Sequence, residues 1–152
     1  MNMKHKNGTY LIDDVPIQDI AKKYGTPCFV YSESSIISNF QEISNIFCNE
    51  KRSVYYSVKA NSSLTILKLL SNLGAGFDIV SIGELNRVIK VGADPKKIVY
   101  SGVGKSESDI ESSIQLGIKC LNVESFAELE RINKVASKLK IKAPVAIRVN
   151  PN

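Results

Sequence analysis

The sequence predicts an α/β protein: part of a (β/α)8 barrel of the TIM type, with about five parallel strands and an N-terminal leader strand. The main observation is a repeat of roughly 20–26 residues beginning at Val54, in which a β-branched or aromatic run precedes a turn and a segment with helical apolar spacing. The repeat occurs four times, and a fifth strand follows it. Because strand and helix alternate, we expect parallel strands joined by right-handed crossovers.

A doubly wound sheet would give the same alternation, so the pattern alone leaves both architectures open. A complete barrel takes about 250 residues, so under the barrel interpretation the 152 residues of this chain would cover only part of one. The predicted strands are Val54–Lys59, Phe77–Val80, Ile98–Ser101, Cys120–Val123 and Val145–Val149. Helical spacing is found from Leu64 to Leu73, over Leu85, Val88 and Ile89, over Ile110, Ile114 and Leu116, and from Phe126 to Leu139.

Local signals support the ends of these helices. Ser-x-x-Glu occurs at Ser81/Glu84 and Ser125/Glu128, each at the start of a helical segment, and predicts a capping box that satisfies the first free N–H groups. The first three helices are expected to stop at Gly74, Gly92 and Gly117, because glycine accepts the left-handed conformation of a helix C-terminus.

The part of the chain before Val54 is organised differently. The expected elements are a strand at Thr9–Ile12, a helix at Ile17–Tyr24, a strand at Pro27–Tyr31 and a helix at Glu33–Phe47. We expect residues 1–32 to form a leader whose strand pairs with a C-terminal β-domain outside this chain. Residues 33–152 are then the first part of the barrel, which is expected to be cut short at Asn152.

Composition narrows the class of protein. The net charge of +5 comes from scattered lysines and arginines with no basic run carrying interleaved aromatics, so nucleic-acid binding is not expected. Three widely spaced cysteines and a single histidine, His5, predict neither a disulfide framework nor a metal site. No signal core or apolar run of about 18 residues is found, which favours the cytoplasm over a membrane.

Lys59 is the first candidate for chemistry. It closes a predicted strand, and the carboxyl ends of strands in βα-repeat proteins form the face where ligands bind. A lysine amine there could condense with the aldehyde of pyridoxal phosphate. On position alone, a lysine whose amine extends to solvent is the more common case.

Five sequence blocks in order carry a resemblance that favours the cofactor role. They are Tyr56-Ser57-Val58-Lys59-Ala60-Asn61, Phe77-Asp78-Ile79-Val80-Ser81-x-Gly83-Glu84-Leu85, Ser101-Gly102-Val103-Gly104-Lys105, Asn122-Val123-Glu124-Ser125 and Ile147-Arg148-Val149-Asn150-Pro151. The chain resembles the N-terminal portion of the fold-type III pyridoxal-phosphate decarboxylases from Thr9 to its end. This resemblance implies pyridoxal 5'-phosphate as cofactor and Lys59 as the residue that forms a Schiff base with it.

The resemblance also implies cofactor-side positions for three further residues. Asp78 would lie near the cofactor on the second strand, Glu84 on the following turn, and Arg148 near the pyridine ring. Each has a structural alternative: Asp78 could be an acid at a strand start, and Glu84 is already explained by its capping box. Arg148 ends a strand predicted to be buried, where an unpaired charge is costly, and a polar site at its tip would explain it.

The run Gly102-Val103-Gly104-Lys105-Ser106 contains the Gly-Lys-Ser that closes a phosphate-binding loop. That motif needs a glycine five positions before Gly104, and Val99 stands there. A nucleotide-binding P-loop is therefore not predicted. The glycines are expected to let the third βα turn pass close to a ligand, or to make a tight turn.

The resemblance implies a carboxy-lyase acting on an amino acid, with meso-2,6-diaminopimelate as substrate and L-lysine and CO2 as products. Ornithine, arginine and carboxynorspermidine stay open as substrates. A non-catalytic pyridoxal-phosphate carrier and an inactive half-barrel piece are the rival classes. The family's cofactor-stacking histidine, phosphate-binding turn and substrate motif are expected beyond Asn152, so this piece alone is expected to be inactive and the longer protein a homodimer.

Overall fold

The computed structural model describes residues 3–6, 8–46 and 53–151. The chain divides into two compact units, with the division between residues 52 and 53. The division expected at residue 33 concerns domains of the whole protein and stays a prediction. Within the described ranges, no helix combines the length and the apolar character that a membrane span requires.

The first unit contains a small antiparallel sheet and two helices. The strands β1 (Met3–Lys6), β2 (Thr9–Ile12) and β3 (Val15–Pro16) are ordered β1-β2-β3. Asp13 and Asp14, with φ of 49° and 64°, form a two-residue turn between β2 and β3, and this conformation matches the twist of a hairpin. The helices are α1 (Ile17–Tyr24) and α2 (Glu33–Asn45).

The Asp13 carboxylate joins the hairpin turn to the start of α2. Its Oδ1 accepts from Ser32 Oγ at 2.8 Å, and its Oδ2 accepts from the Ser34 amide at 3.2 Å. Ser32 in turn is the N-cap of α2 and accepts from the Ser35 amide. Hydrogen bonds from Ser34 and Ser32 favour the charged carboxylate and lower the pKa of Asp13.

One expectation for the leader was wrong, and one strand was not predicted. Pro27–Tyr31 does not form a strand, and Phe29 within it is 92% exposed. Its β-forming residues find no partner strand in the described part of the unit, and strand preference depends on such pairing. Met3–Lys6 does form a strand, although its polar sequence gave no alternating pattern, because β2 supplies the hydrogen-bonding partner. The predicted end of α2 at Phe47 lies outside the described residues.

The second unit is a five-stranded parallel sheet connected by helices. Its strands follow the order of the chain without reversal. They are β4 (Tyr55–Ser57), β5 (Gly76–Ile79), β6 (Ile98–Tyr100), β7 (Cys120–Val123) and β8 (Val145–Ile147). The helices are α3 (Leu64–Asn72), α4 (Ile82–Lys90), α5 (Glu107–Leu116) and α6 (Phe126–Leu139), with short 3-10 turns at Val58–Ala60 and Pro95–Lys97. A doubly wound sheet reverses its strand order at a switch point, so the unreversed order confirms the partial barrel.

The two faces of this sheet differ in chemistry. Alternate strand residues such as Phe77, Ile79 and Leu121 are fully buried and form the core with helix residues. Between them, Asp78 and Asn122 are only partly buried and belong to the opposite face. That opposite face corresponds to the inside of a βα barrel, which we call the inner face.

The predicted capping boxes are half correct. Ser81 and Ser125 are N-caps, and each hydroxyl accepts from the amide of the glutamate three residues later. The carboxylates of Glu84 and Glu128 reach past the N-cap, however, and accept from the amides of Val80 and Glu124, both at 2.8 Å.

A complete capping box occurs at Ser106 and Asp109, where the sequence analysis did not predict one. Asp109 Oδ2 accepts from the Ser106 amide at 3.1 Å. The aspartate side chain is one methylene shorter than that of glutamate, so its carboxylate meets the N-cap amide rather than the amide before it.

Candidate active site

The carboxyl ends of β4 to β8 meet along one edge of the second unit, and this edge carries the candidate site. The order of the strands brings all four predicted residues, Lys59, Asp78, Glu84 and Arg148, to strand ends or to the turns that follow them. Four further polar side chains lie at the same edge, and the sequence analysis named them only as members of sequence blocks. They are Ser57, Ser101, Asn122 and Glu124.

Lys59 lies in the 3-10 turn directly after β4, two residues beyond the strand end. The turn is anchored by Val58, which is fully buried, and by a hydrogen bond from Tyr56 Oη to the Asn61 carbonyl at 3.2 Å. Lys59 itself is exposed, and no hydrogen bond or ion pair holds its amine within the described residues. An anchored backbone with an uncommitted amine suits a lysine that reacts with an aldehyde.

Ser57 supplies the second observation that fits a bound cofactor. Its Oγ is the one buried side-chain polar atom in the described ranges without a hydrogen-bond partner. Such an atom is costly unless a ligand or water completes its bonding. Ser57 is the last residue of β4, pairs with Asp78 on β5, and lies two residues before Lys59. The residues present therefore fit a polar molecule bound at this edge.

Three side chains from adjacent strand ends form a continuous row. Ser101 Oγ donates to Asp78 Oδ1 at 2.5 Å, and Asn122 Nδ2 donates to Ser101 Oγ at 2.9 Å. Asp78 lies within β5 rather than at the strand start that the structural alternative assumed, and its carboxylate is held by a neighbour on the inner face. Ser101, which follows β6, thus connects the Asp78 carboxylate of β5 to the Asn122 side-chain amide of β7.

Arg148 follows β8 and pairs with Glu124 from the end of β7. Its Nη1 lies 3.4 Å from Glu124 Oε2, while Glu124 Oε1 accepts from the Gly102 amide at 2.6 Å. The Arg148 side chain is 57% exposed, so the pair is an exposed one and contributes little to stability. In this chain β8 is the edge strand of the sheet, with Ile147 at 71% exposure, so the burial of the strand that Arg148 follows stays a prediction for the longer protein.

A cavity of about 340 Å³ lies between these groups on the inner face. Its lining is Ser101, Asn122, Glu124, Ala146, Ile147 and Arg148. A larger cavity of about 560 Å³ lies between α6 and β8 beside residues such as Ile132 and Ala136, and contains none of the candidate residues. The smaller cavity is the relevant one, because it joins a carboxylate, a guanidinium and hydroxyl and amide groups at the strand ends.

Glu84 has a structural role in the α4 turn, since its Oε2 accepts from the Val80 amide. A cofactor-side role for it stays a prediction. The glycines after β6 do make a tight turn, with Gly102 at φ +96° and 3.5 Å between a Cβ built there and the Val80 Cβ. Lys105 of the same run is buried and bonded within the protein, so it does not present a phosphate-binding amine.

Ser101 and Asn122 are site residues that the sequence analysis did not single out. A usable signal was present, because Ser101 ends one predicted parallel strand and Asn122 lies within the next, and both share the face of Asp78 by alternation. For Lys105 the sequence signal was misleading. Its Gly-Lys-Ser context is typical of a phosphate-binding loop, whereas the folded chain shows that the lysine is buried.

Comparison with known proteins decides the family. The family model described as pyridoxal-dependent decarboxylase, pyridoxal binding domain, matches residues 33–152. The chain belongs to this family. Pyridoxal phosphate is accordingly the cofactor that this pyridoxal-dependent decarboxylase domain uses.

Similar proteins extend the match over nearly the whole chain. A diaminopimelate decarboxylase from Vibrio cholerae is 46% identical over 147 residues, which are 97% of this chain and 35% of the relative. Crystal structures of diaminopimelate decarboxylases in complex with L-lysine are similar in fold. The enzyme from M. jannaschii has a TM-score of 0.92 at 37% identity, covering 99% of this chain and 36% of that one. The enzyme from Helicobacter pylori has a TM-score of 0.86 at 44% identity, covering 90% and 34%.

The chain spans about a third of the length of the relatives it matches. The matched third includes the lysine-bearing turn after β4 and the polar row along β5 to β8.

Proposed function

We propose that this chain is the cofactor-lysine part of a diaminopimelate decarboxylase, which converts meso-2,6-diaminopimelate to L-lysine and CO2. The observation that carries the proposal is the uncommitted Lys59 amine beside the unpartnered Ser57 hydroxyl at the carboxyl edge of the sheet. The substrate is supported by the similarity to diaminopimelate decarboxylases, two of which were solved with L-lysine bound. The activity belongs to the longer protein rather than to these 152 residues.

Pyridoxal phosphate, when bound, supplies an aldehyde carbon that takes up amines and a conjugated ring that accepts the electron pair left behind by departing CO2. Lys59 would hold the cofactor covalently through Nζ, and its amine would be the group available to hold a proton at the reacting carbon. The fully buried Val58 anchors the 3-10 turn that carries Lys59.

The polar row orients charge around the bound group. Asp78 keeps one carboxylate oxygen on the Ser101 hydroxyl, and Asn122 holds that hydroxyl from the other side. Arg148 provides a cation beside Glu124 at the cavity wall. We propose that Asp78 and Arg148 lie on the cofactor side of this cavity, and that Glu84 contributes from the α4 turn.

The first test maps the covalent attachment. The product of the complete reading frame containing these 152 residues is incubated with pyridoxal phosphate, reduced with borohydride, digested and examined by mass spectrometry. We expect the label at Lys59. Lys59→Ala should abolish it, while Lys90→Ala, which changes an exposed lysine at the end of α4, should not. Labelling spread over surface lysines would contradict the proposal.

The second test identifies the substrate. The same protein is supplied with meso-2,6-diaminopimelate, ornithine, arginine or carboxynorspermidine, and CO2 release is measured. We expect turnover of meso-2,6-diaminopimelate with L-lysine as product. Preferential release of CO2 from one of the other three would replace the substrate assignment while leaving the cofactor assignment intact.

The finer features of the whole protein are also proposals. We propose a cytoplasmic homodimer in which residues 1–32 form a leader paired with a C-terminal β-domain and residues 33–152 begin the barrel. Sedimentation of the complete protein tests the dimer, and a monomer at micromolar concentration with full activity would contradict it.

A further inference from the structure

Lys105 is a buried lysine whose ammonium group donates all of its hydrogen bonds to acceptors within the protein. Its side chain has no exposed surface, and its Nζ lies 2.6 Å from Glu128 Oε1, whose side chain is 4% exposed. Nζ also donates to the carbonyls of Gly102 at 2.6 Å and Asn122 at 2.8 Å. An ammonium has three protons to donate, and all three have acceptors here. This is the arrangement that makes a buried charge tolerable.

The two backbone acceptors of Lys105 lie at the carboxyl ends of β6 and β7, beside the candidate site. Gly102 lies after β6, directly beyond Ser101 of the polar row. Asn122 lies in β7 and donates to the same Ser101 hydroxyl. The ammonium therefore holds the backbone at two places whose side chains or neighbours line the inner-face cavity.

Glu128 connects the Lys105 ammonium to the side of the cavity that is lined by Arg148. Its second oxygen, Oε2, accepts from the Glu124 amide at 2.8 Å. Glu124 then accepts from the Gly102 amide and pairs with Arg148. The Lys105–Glu128 pair thus lies behind both the polar row and the Glu124–Arg148 pair, and a displacement of the ammonium would move both groups together.

We propose that Lys105 is a positioning residue of the decarboxylase site. It acts through the Gly102 and Asn122 carbonyls and through Glu128, and it sets the cavity before the cofactor arrives. It neither binds phosphate nor reacts with the aldehyde. This inference rests on the proposed function, since it assigns Lys105 to the same site.

The test uses variants of the complete protein that distinguish a positioning role of Lys105 in the site from a general effect on folding. Lys105→Met alone leaves the Glu128 carboxylate buried without its partner, so we expect a marked loss of thermal stability. The double variant Lys105→Met with Glu128→Gln removes both charges, and we expect much of the lost stability to return. Cofactor affinity and kcat should stay at least tenfold below the wild-type values, because the two carbonyls remain unheld. Cofactor affinity is measured by absorbance titration with pyridoxal phosphate.

Lys68→Met is the matched control. Lys68 also donates to a backbone carbonyl, that of Val91 at 3.1 Å, but it does so at the end of α4 away from the carboxyl edge of the strands. We expect wild-type cofactor affinity and kcat for this variant. Wild-type cofactor affinity and kcat in the double Lys105/Glu128 variant would overturn the positioning role.

A measurement on the unmodified protein keeps the proposal testable if the variants fail to fold. We expect the amides of Gly102 and Glu124 to be protected from hydrogen exchange before pyridoxal phosphate is added. Free exchange without the cofactor, followed by protection when it is bound, would overturn the idea of a preset cavity. The proposed function fails on a different result, the absence of labelling at Lys59 in the wild-type protein.

Discussion

Ser101 links two neighbouring strand ends of the site, because it donates to Asp78 and accepts from Asn122. Within this row Asp78 and Asn122 are joined only through Ser101. The Ser101 hydroxyl therefore fixes the position of the Asp78 side chain relative to that of Asn122. Its loss would leave the Asp78 carboxylate without the hydroxyl that holds it. Hydrogen bonds to charged groups contribute about 1.5–3 kcal/mol, enough to influence catalysis measurably.

We predict that Ser101→Ala lowers kcat/KM of the complete protein about tenfold, which corresponds to about 1.4 kcal/mol of transition-state stabilisation. Steady-state kinetics with meso-2,6-diaminopimelate measures the change. Ser137→Ala, at an exposed position of α6, is the matched control and should leave kcat/KM unchanged. An unchanged kcat/KM in Ser101→Ala would show that the row does not orient Asp78 for catalysis.

Tyr100 carries the largest resolved pKa shift. Burial, reinforced by the negative charges of Asp109 and Glu84, raises the pKa of its phenol to about 12 from an ordinary value of 10.0. In the unfolded chain the phenol loses its proton near pH 10, whereas the folded chain keeps it to a higher pH. The stability linked to Tyr100 is therefore complete below pH 10 and is lost as the pH rises towards 12.

We predict that alkaline unfolding between pH 10 and 12 is shallower in Tyr100→Phe than in the wild-type protein. The difference in the free energy of unfolding across this range should approach about 2–3 kcal/mol, since one unit of pKa shift equals about 1.36 kcal/mol. Urea unfolding at several pH values measures it. Identical pH dependence of the two proteins would mean that the phenol is not desolvated in the fold.

The residues of the site were only partly predictable from the sequence. Lys59 was found through its motif and its predicted place at the end of a strand, whereas in the folded chain the strand ends at Ser57 and Lys59 lies in the 3-10 turn that follows it. The burial of Lys105 was not predictable, because Glu128 lies 23 positions away along the chain. A long-range ion pair leaves no local pattern, so the Gly-Lys-Ser run could be excluded as a P-loop but not assigned.

At the scale of elements, glycine at the start of β5 is required by a close approach. A Cβ placed on Gly76 would lie 2.5 Å from an atom of the Tyr55 ring and 2.8 Å from the Lys97 carbonyl oxygen. The carbonyl belongs to the backbone that leads into β6 and cannot move aside cheaply. Gly83, in the first turn of α4, has only the Ser81 hydroxyl at 3.8 Å.

We predict that Gly76→Ala lowers the free energy of unfolding by about 2–3 kcal/mol, as expected for an overpacked site. Gly83→Ala, the matched control, should raise it by about 0.5–1 kcal/mol, because alanine favours a helix. Chemical denaturation of both variants checks the pair. A neutral effect at Gly76 would imply that β4 and β6 can separate without loss.

The prediction of helices and strands succeeded where the βα sequence pattern was repeated. It failed where the formation of a strand depended on pairing with another strand. The four helices of the second unit and its five strands were found because apolar periodicity and turn residues agreed in each repeat. The Pro27–Tyr31 strand was wrong because a β-forming composition cannot show whether a partner strand exists. The Glu84 and Glu128 contacts were missed by one residue, since the Ser-x-x-Glu pattern does not specify how far the carboxylate reaches.

At the scale of the whole molecule, the order of the strands was predictable only as one of two alternatives. Repeated β and α segments fit both a barrel and a doubly wound sheet, and the observed order β4-β5-β6-β7-β8 distinguishes them. This order also leaves β8 paired on one side only within the described residues. Val145, Ile147 and Val149 there are 42%, 71% and 77% exposed, which makes an apolar edge prone to association.

We predict that the 152-residue chain by itself self-associates at micromolar concentrations through this edge. Ile147→Lys should shift the sedimentation profile towards monomer, because a charge on an edge strand opposes pairing with another strand. Val103→Lys, at a 79% exposed position in the β6–α5 turn, serves as the matched control. Equal association of both variants would place the contact elsewhere.

The two Ser-x-x-Glu turns have the same geometry, but their glutamates have different partners. Ser81 and Ser125 share nearly the same backbone angles, with φ of −154° and −155°, and each glutamate connects its helix to the end of the preceding strand through one oxygen. In the later turn the remaining oxygen of Glu128 accepts from Lys105. In the earlier turn no described residue hydrogen-bonds to the remaining oxygen of Glu84, so that oxygen can still accept a hydrogen bond from a ligand or from water.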